Sequence, residues 1–125
     1  NGRDNPPKQP DGSPSDPKKQ RIIRTPDGQD MTFDDQTRTL TITSADKRRI
    51  TLSKEKVEIA IDEQATSKIA IDQNGNVTIS AKVSIKLEAP SISISGDNLE
   101  IKGKAKADIN GGSLCSIDAG LIKIG

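Results

Sequence analysis

The chain has almost no aromatic residues: its 125 residues include one Phe and neither Trp nor Tyr. Aromatic side chains provide the largest burials in globular cores, up to about 250 Å² each. Apolar residues make up only 30% of the chain, whereas roughly 45–50% is usual for a count that also includes Gly. A compact domain around its own core is therefore disfavoured. Two solutions remain: disorder, or a thin prism whose narrow core needs only small branched side chains.

Other absences exclude classes of reaction. The chain has no His, so the usual base near neutral pH is missing. Acidic residues such as Glu58 and Glu100 are scattered over predicted outward positions, which is typical of a solvated face. Asn110-Gly111-Gly112 lacks the Lys and the helix of a phosphate loop. We expect no enzyme activity, no cofactor and no metal; paired-carboxylate glycosidase chemistry stays open, but nothing indicates it.

The charge balance does not indicate nucleic acid or a membrane span. The formal net charge is +1, and the basic patch Lys47-Arg48-Arg49 is short and has no stacking aromatics beside it. No apolar run reaches the roughly 18 residues of a membrane span. We expect no nucleic-acid partner and, at most, transient contact with a membrane.

The single cysteine gives no spacing signature. Cys115 lies two residues before Ile117, so both side chains would lie on the same face of a strand. The pattern therefore predicts a thiol that faces the core as a small hydrophobe. A trigonal metal site or an interchain disulfide is the alternative.

What the chain does have is a regular alternation of branched apolar and polar residues from Lys54 to Gly125. The period within each group is two, as in a strand with one buried face. The groups begin about every eight residues, which is the mark of a repeat architecture. The predicted core consists of Phe33, Val57, Ile59, Ile61, Ile69, Ile71, Val77, Ile79, Val83, Ile85, Leu87, Ile92, Ile94, Leu99, Ile101, Ile109 and Ile117, with Ala105 and Ala107 in the same alternation.

Turn-forming residues separate the groups. They lie at Asn74-Gly75, Pro90, Gly96-Asp97-Asn98, Asn110-Gly111-Gly112 and Ala119-Gly120. Gly and Asn adopt positive φ easily, and proline cannot donate to a sheet ladder. Each position is therefore a predicted corner.

The predicted fold is all-β, an intertwined homotrimeric β-helix shaped as a triangular needle with an extended N-terminal linker. Spacing between groups varies from about six to about twelve residues, whereas a single-chain solenoid needs strict repeats. In the trimer, neighbouring layers on one face come from different chains. The alternative is a single-chain β-solenoid acting as a surface adhesin or polysaccharide-binding module.

The chain divides into three predicted parts. Residues 1–20 are rich in Pro, Asp, Lys, Gly and Ser and form a linker. Residues 21–53 form the strands and the hairpin through which the chain enters the needle, and residues 54–125 form the needle itself. A tight turn is predicted at Pro26-Asp27-Gly28, and Phe33 is expected to plug the wide end of the prism.

Residues 37–53 read as a hairpin. Leu40 and Ile42 lie on one strand, and Ile50 and Leu52 on the other, with a polar turn between them.

The segment RIIRTPDGQDMTFDDQTRTLTIT, followed by short Ile/Val strands with Gly corners, resembles the C-terminal spike of contractile injection machines. These include the VgrG proteins of type VI secretion, phage baseplate spikes and their relatives in extracellular particles. The resemblance covers about residues 5–125, and TPDGQDMTFDD is its most specific part. It implies a parallel homotrimeric needle, with an OB-fold region before it that docks on hub and tube proteins.

The resemblance also implies a function and a location. The needle would be assembled in the cytoplasm, be carried by a virion, secretion apparatus or released particle, and pierce the envelope of a target cell. It implies a conical PAAR-repeat tip protein at the C-terminal end, and we expect that protein to contact Leu121, Ile122, Ile124 and Gly125. Some relatives hold iron through a His-x-His motif at the tip, which this His-free chain lacks.

Overall fold

The computed structural model describes residues 19–125, and this part of the chain is all-β without a helix. Short alternating segments rich in Ile, Val and Thr form its strands, because branched side chains suit a pleated surface. The seven strands are β1 (Gln20–Arg24), β2 (Asp30–Asp34), β3 (Thr39–Thr43), β4 (Arg49–Leu52), β5 (Lys56–Ala60), β6 (Lys68–Asp72) and β7 (Val77–Ser80).

The strands form one open antiparallel sheet in chain order, from β1 to β7. The sequence pattern predicted that neighbouring layers would come from different chains. Over Gln20–Ser80 they come from the same chain, because short turns join each strand to its antiparallel neighbour. The all-β prediction is confirmed. Within the predicted needle, the strands of residues 54–80 pair with neighbours in their own chain; the homotrimer and the triangular β-helix stay predictions.

Most of the turns use a Ser, Thr or Asp side chain to bind the turn's own backbone. The oxygen of such a side chain accepts a hydrogen bond from an amide a few residues later. These bonds run to Thr25 Oγ1 from Gln29 N, to Ser44 Oγ from Arg48 N, to Asp62 Oδ1 from Thr66 N and to Asp72 Oδ1 from Asn76 N. The residue just before the closing amide has positive φ in all four turns, namely Gly28, Lys47, Ala65 and Gly75. The turns after Thr25, Ser44 and Asp72 are three-residue hairpin loops with a bulge, since the amide of each of these residues donates to the carbonyl four residues later. The loop that contains Asp62 is longer, because its closing bond runs from Ile61 N to Ser67 O.

Several local predictions are confirmed. The turn at Pro26-Asp27-Gly28 closes through the bond from Gly28 N to Thr25 O. The hairpin of residues 37–53 pairs Leu40 with Leu52 and Ile42 with Ile50. The Asn74-Gly75 corner joins β6 to β7.

After Ser80 the described chain has no paired strand, but its backbone bends at regular intervals. Bends recur every seven to eight residues, at 82–83, 90, 97–98, 104–105, 112–113 and 120. The predicted corners at Pro90, Gly96-Asp97-Asn98, Asn110-Gly111-Gly112 and Ala119-Gly120 are confirmed. The bends at 82–83 and 104–105 were not predicted. They place Val83 and Ala105 at corners instead of within strands.

Two of the corners are too tight for any side chain. A Cβ added at Gly103 would meet the carbonyl of Lys106, and one added at Gly111 would meet the carbonyl of Leu114. Glycine is therefore required at both corners by close backbone approach.

The chain separates into two compact units, of which the first ends at Leu87 and the second is Glu88–Gly125. The sheet continues across the predicted boundary between residues 53 and 54, since β4 pairs with β5. The predicted linker of residues 1–20 lies almost wholly outside the described residues.

Candidate interaction surfaces

One face of the sheet is apolar across its full width. Paired residues share a face, and successive residues alternate between faces. One apolar row crosses all seven strands: Ile23, Met31, Ile42, Ile50, Ile59, Ile69 and Ile79. A second row starts at β2: Phe33, Leu40, Leu52, Val57, Ile71 and Val77. These rows form a continuous hydrophobic surface on one side of the sheet.

Within the described chain, nothing covers this apolar surface. Among residues 19–125 only Ala60 and Glu58 are buried, each at 3% exposure, and 25 large apolar side chains are exposed. The first row lines a shallow apolar depression with polar residues at its margin. Isolated exposed apolar residues are ordinary on protein surfaces, whereas a contiguous patch of this extent marks an interaction site.

The opposite face is polar and organised around Glu58. Its central row reads Ile22, Thr32, Thr41, Thr51, Glu58, Ala70 and Thr78. Lys56 Nζ lies 3.0 Å from Glu58 Oε2, and an Arg49 guanidinium nitrogen lies 3.4 Å from Oε1. The hydrogen bond from Lys56 holds the pKa of Glu58 below its usual value, although burial opposes this. The expectation that Glu58 is solvated was wrong, because longer basic side chains cover it.

The second compact unit presents a different apolar surface. The segments between its bends each carry at least one pair of apolar residues two positions apart, starting with Ile92 and Ile94 and ending with Ile122 and Ile124. The backbone groups of residues 81–125 make a single backbone–backbone hydrogen bond, from Leu114 N to Gly111 O. Folded proteins average about one hydrogen bond per residue. These extended segments therefore have unpaired ladder groups as well as exposed apolar side chains.

Every residue of the predicted shared core is exposed in the single chain. The structure places Phe33, Val57, Ile59, Ile69, Ile71, Val77 and Ile79 together on the apolar sheet face. It places the predicted tip residues in a segment without strand pairing, where Ile124 is 92% exposed. Their burial against other chains stays a prediction.

Sequence reasoning missed half of the apolar sheet face. Ile23, Met31, Ile42 and Ile50 complete the first row, although residues 21–53 were assigned to a separate part of the fold. The signal was present in the sequence, because the alternation in these strands has the same period as in residues 54–80.

Cys115 is a free, exposed thiol in this chain. Within residues 19–125 no group of three or more His, Cys, Asp or Glu residues is arranged to hold a metal ion. The same residues contain no helix long and apolar enough to cross a membrane. Catalytic inactivity and the absence of a cofactor stay predictions.

No protein-family model matches the chain, and a search of curated proteins found no match.

Proposed function

We propose that this chain is the needle of a homotrimeric spike at the tip of a contractile injection machine. The observation that carries the proposal is that the described part of the chain forms no hydrophobic core of its own. Among these residues only Ala60 and Glu58 are buried. Burying one Ile or Leu side chain is worth about 1.5–3 kcal/mol. Burial of the exposed apolar rows and segments would therefore supply the free energy that stabilises the folded state. This burial takes place when copies pack apolar face to apolar face.

Three copies around one axis fit these exposed apolar surfaces. A closed threefold arrangement turns every apolar sheet face inward and every Thr-rich face outward. In the second unit, bends every seven to eight residues are suited to a chain that turns a corner of a triangular prism. Strands from neighbouring copies supply the ladder partners that residues 81–125 lack within one chain.

The passive mechanical role follows from this architecture. A prism filled with Ile, Val and Leu offers no concave pocket for a substrate, and its chains are cross-linked by backbone hydrogen bonds. Such a needle resists bending and separation when it is driven through an envelope. The resemblance of residues 21–43 to spike proteins supports the same role, with a preceding OB-fold region on the hub and tube.

The proposal includes a partner at the C-terminal end. Leu121, Ile122 and Ile124 lie on the last segment and are exposed. In three copies these residues offer an apolar surface that a conical tip protein covers. Assembly in the cytoplasm, delivery out of the cell and brief contact with the target membrane belong to the same proposal.

The single-chain β-solenoid is less well supported. Successive coils of such a solenoid stack as parallel strands, whereas every strand pair over Gln20–Ser80 is antiparallel. The sequence also lacks the aromatic residues that stack on sugars.

Replacing Ile94 by Asp tests the shared core. In the trimer the variant Ile94→Asp places three carboxylates at one level of the axis, where desolvation of unpaired charge is very costly. We expect the trimer to be lost, as measured by light scattering coupled to size exclusion.

The matched control is Ser93→Asp. Ser93 directly precedes Ile94, so its side chain is predicted to lie on the opposite, outward face. This variant adds the same charge on the solvent side, and we expect a normal trimer. A normal trimer for Ile94→Asp would contradict the shared core.

A further inference from the structure

The two edges of the sheet differ in how they are protected. β1 carries Arg21 and Arg24, and charged residues on an edge strand oppose pairing with another chain. β7 reads Val-Thr-Ile-Ser, with neither charge nor proline. An uncharged edge strand next to a continuous apolar face is a ready template for a further strand.

The hydrogen-bond pattern shows which groups of β7 are free. Asp72 N donates to Asn76 O across 3.0 Å, and bonded and non-bonded pairs alternate along an antiparallel ladder. Thr78 and Ser80 therefore direct their backbone groups to β6, and Val77 and Ile79 direct theirs to the open edge. The free groups and the apolar side chains of this edge belong to the same two residues.

The chain's own next segment does not cover this edge. Lys82 N donates a 3.1 Å hydrogen bond to Ser67 Oγ, and Ser67 directly precedes β6. The backbone then bends at residues 82–83. The chain is thus held on the β6 side as it leaves β7, and residues 83–87 form no ladder with β7 although they belong to the same compact unit.

We propose that the open edge of β7 pairs with residues 84–87 of a second copy of this chain. Ile85 and Leu87 alternate with the same period as Val77 and Ile79 and would continue the apolar face. A segment that leaves one sheet and pairs with the next makes a head-to-tail contact, which closes into a ring when three copies are present. This inference rests on the proposed trimer. It identifies β7 as the last strand that pairs within its own chain and the following segment as the first that pairs with another chain.

Disulfide trapping between differently tagged full-length chains tests the pairing, in a Cys115→Ser background. One chain carries Thr78→Cys; the other carries Ser84→Cys or Lys86→Cys, which cover two registers. Thr78 lies at a position where a new partner would be non-hydrogen-bonded, so the Cβ atoms come close enough for a disulfide. The matched control replaces Thr78→Cys by Thr32→Cys on the interior strand β2.

We expect disulfides that join the two tags when the chains are refolded together and mildly oxidised, with Thr78→Cys and not with Thr32→Cys. A trimeric mass without this cross-link, or a Thr78→Cys/Ser84→Cys double variant that closes only within one chain, would overturn the edge pairing alone. A monomeric mass would overturn the proposed spike as well.

Discussion

Three aspartates fix turns of the sheet through their carboxylates. Asp72 accepts the amides of Asn74 and Asn76, Asp62 accepts that of Thr66, and Asp34 accepts that of Thr37. These are charge-assisted bonds, which are stronger than neutral ones. They lower the pKa of each aspartate: the largest cause is the Asn76 side chain at Asp72, the Thr66 side chain at Asp62 and the Thr37 amide at Asp34.

The lowered pKa values predict a loss of stability in acid. A carboxyl whose pKa is lower in the folded state contributes stability above its unfolded value, near 3.8 for Asp, and loses it as pH falls through the folded value. In Asp62→Asn and Asp72→Asn an acceptor oxygen remains but nothing titrates. We expect both variants to be less stable at neutral pH and to show a weaker decrease in unfolding free energy between pH 5 and pH 2, followed by circular dichroism.

The control for this prediction is Asp46→Asn in the β3–β4 turn. The Asp46 carboxylate accepts no hydrogen bond from the residues that the structure describes. This variant should retain the acid dependence of the parent chain. An unchanged acid dependence in Asp62→Asn and Asp72→Asn would show that the turn carboxylates do not carry it.

At the scale of elements, the chain uses two ways of turning. The sheet turns by hairpin loops that bring each strand back beside its predecessor. The second unit turns by single bends between extended segments that do not come back together as a ladder. The first kind makes a sheet within one chain. The second kind forms no ladder within the described chain, and in the proposed trimer other copies would supply the partners for these segments.

The tight corners predict that alanine is not tolerated there. In Gly103→Ala and Gly111→Ala the new Cβ overlaps a backbone carbonyl, so the corner has to open, at a cost of about 1–3 kcal/mol per chain. We expect a lower thermal midpoint of the assembled protein for each variant, measured by calorimetry.

Gly120→Ala is the matched control. A Cβ added at Gly120 would have open space around it, and the backbone of Gly120 does not have a positive φ. Its effect should stay within about 0.5 kcal/mol. Equal losses at all three glycines would contradict the tight-corner account.

Alternation and turn residues predict where strands and corners lie, but they carry less information about pairing. The hairpin of residues 37–53 and the corner at Asn74-Gly75 followed from local signals alone. Whether a strand pairs with its own neighbour or with another chain depends on loop length and on non-local contacts, which periodicity does not contain. The bend at residues 82–83 has no Gly or Pro, and the contact beside it, the hydrogen bond from Lys82 N to Ser67 Oγ, is non-local.

The candidate surface was also only partly predictable. The alternation of apolar and polar residues correctly predicted that the apolar residues of β5 to β7 share one face. This alternation alone does not show that β1 to β4 extend the same face, since that depends on the register between strands. The burial of Glu58 depends on its contacts with Arg49 and Lys56. The local alternation of apolar and polar residues does not predict these contacts.

At the scale of the whole molecule, one property unites the two units. Each exposes an apolar surface that the described chain leaves uncovered, and conformational entropy opposes folding by roughly 1–2 kcal/mol per residue for the backbone alone. In the proposed trimer, a chain that buries so little by itself gains its stability from association, and each unit contributes its apolar surface to contacts between copies.

The mass of the unmodified chain in native solution tests this account most directly. Native mass spectrometry at micromolar concentration should give a single species at three times the 13.3 kDa of one chain, and this species should persist on dilution and in mild detergent. A folded, stable species at the mass of one chain would contradict the shared interior and, with it, the proposed needle.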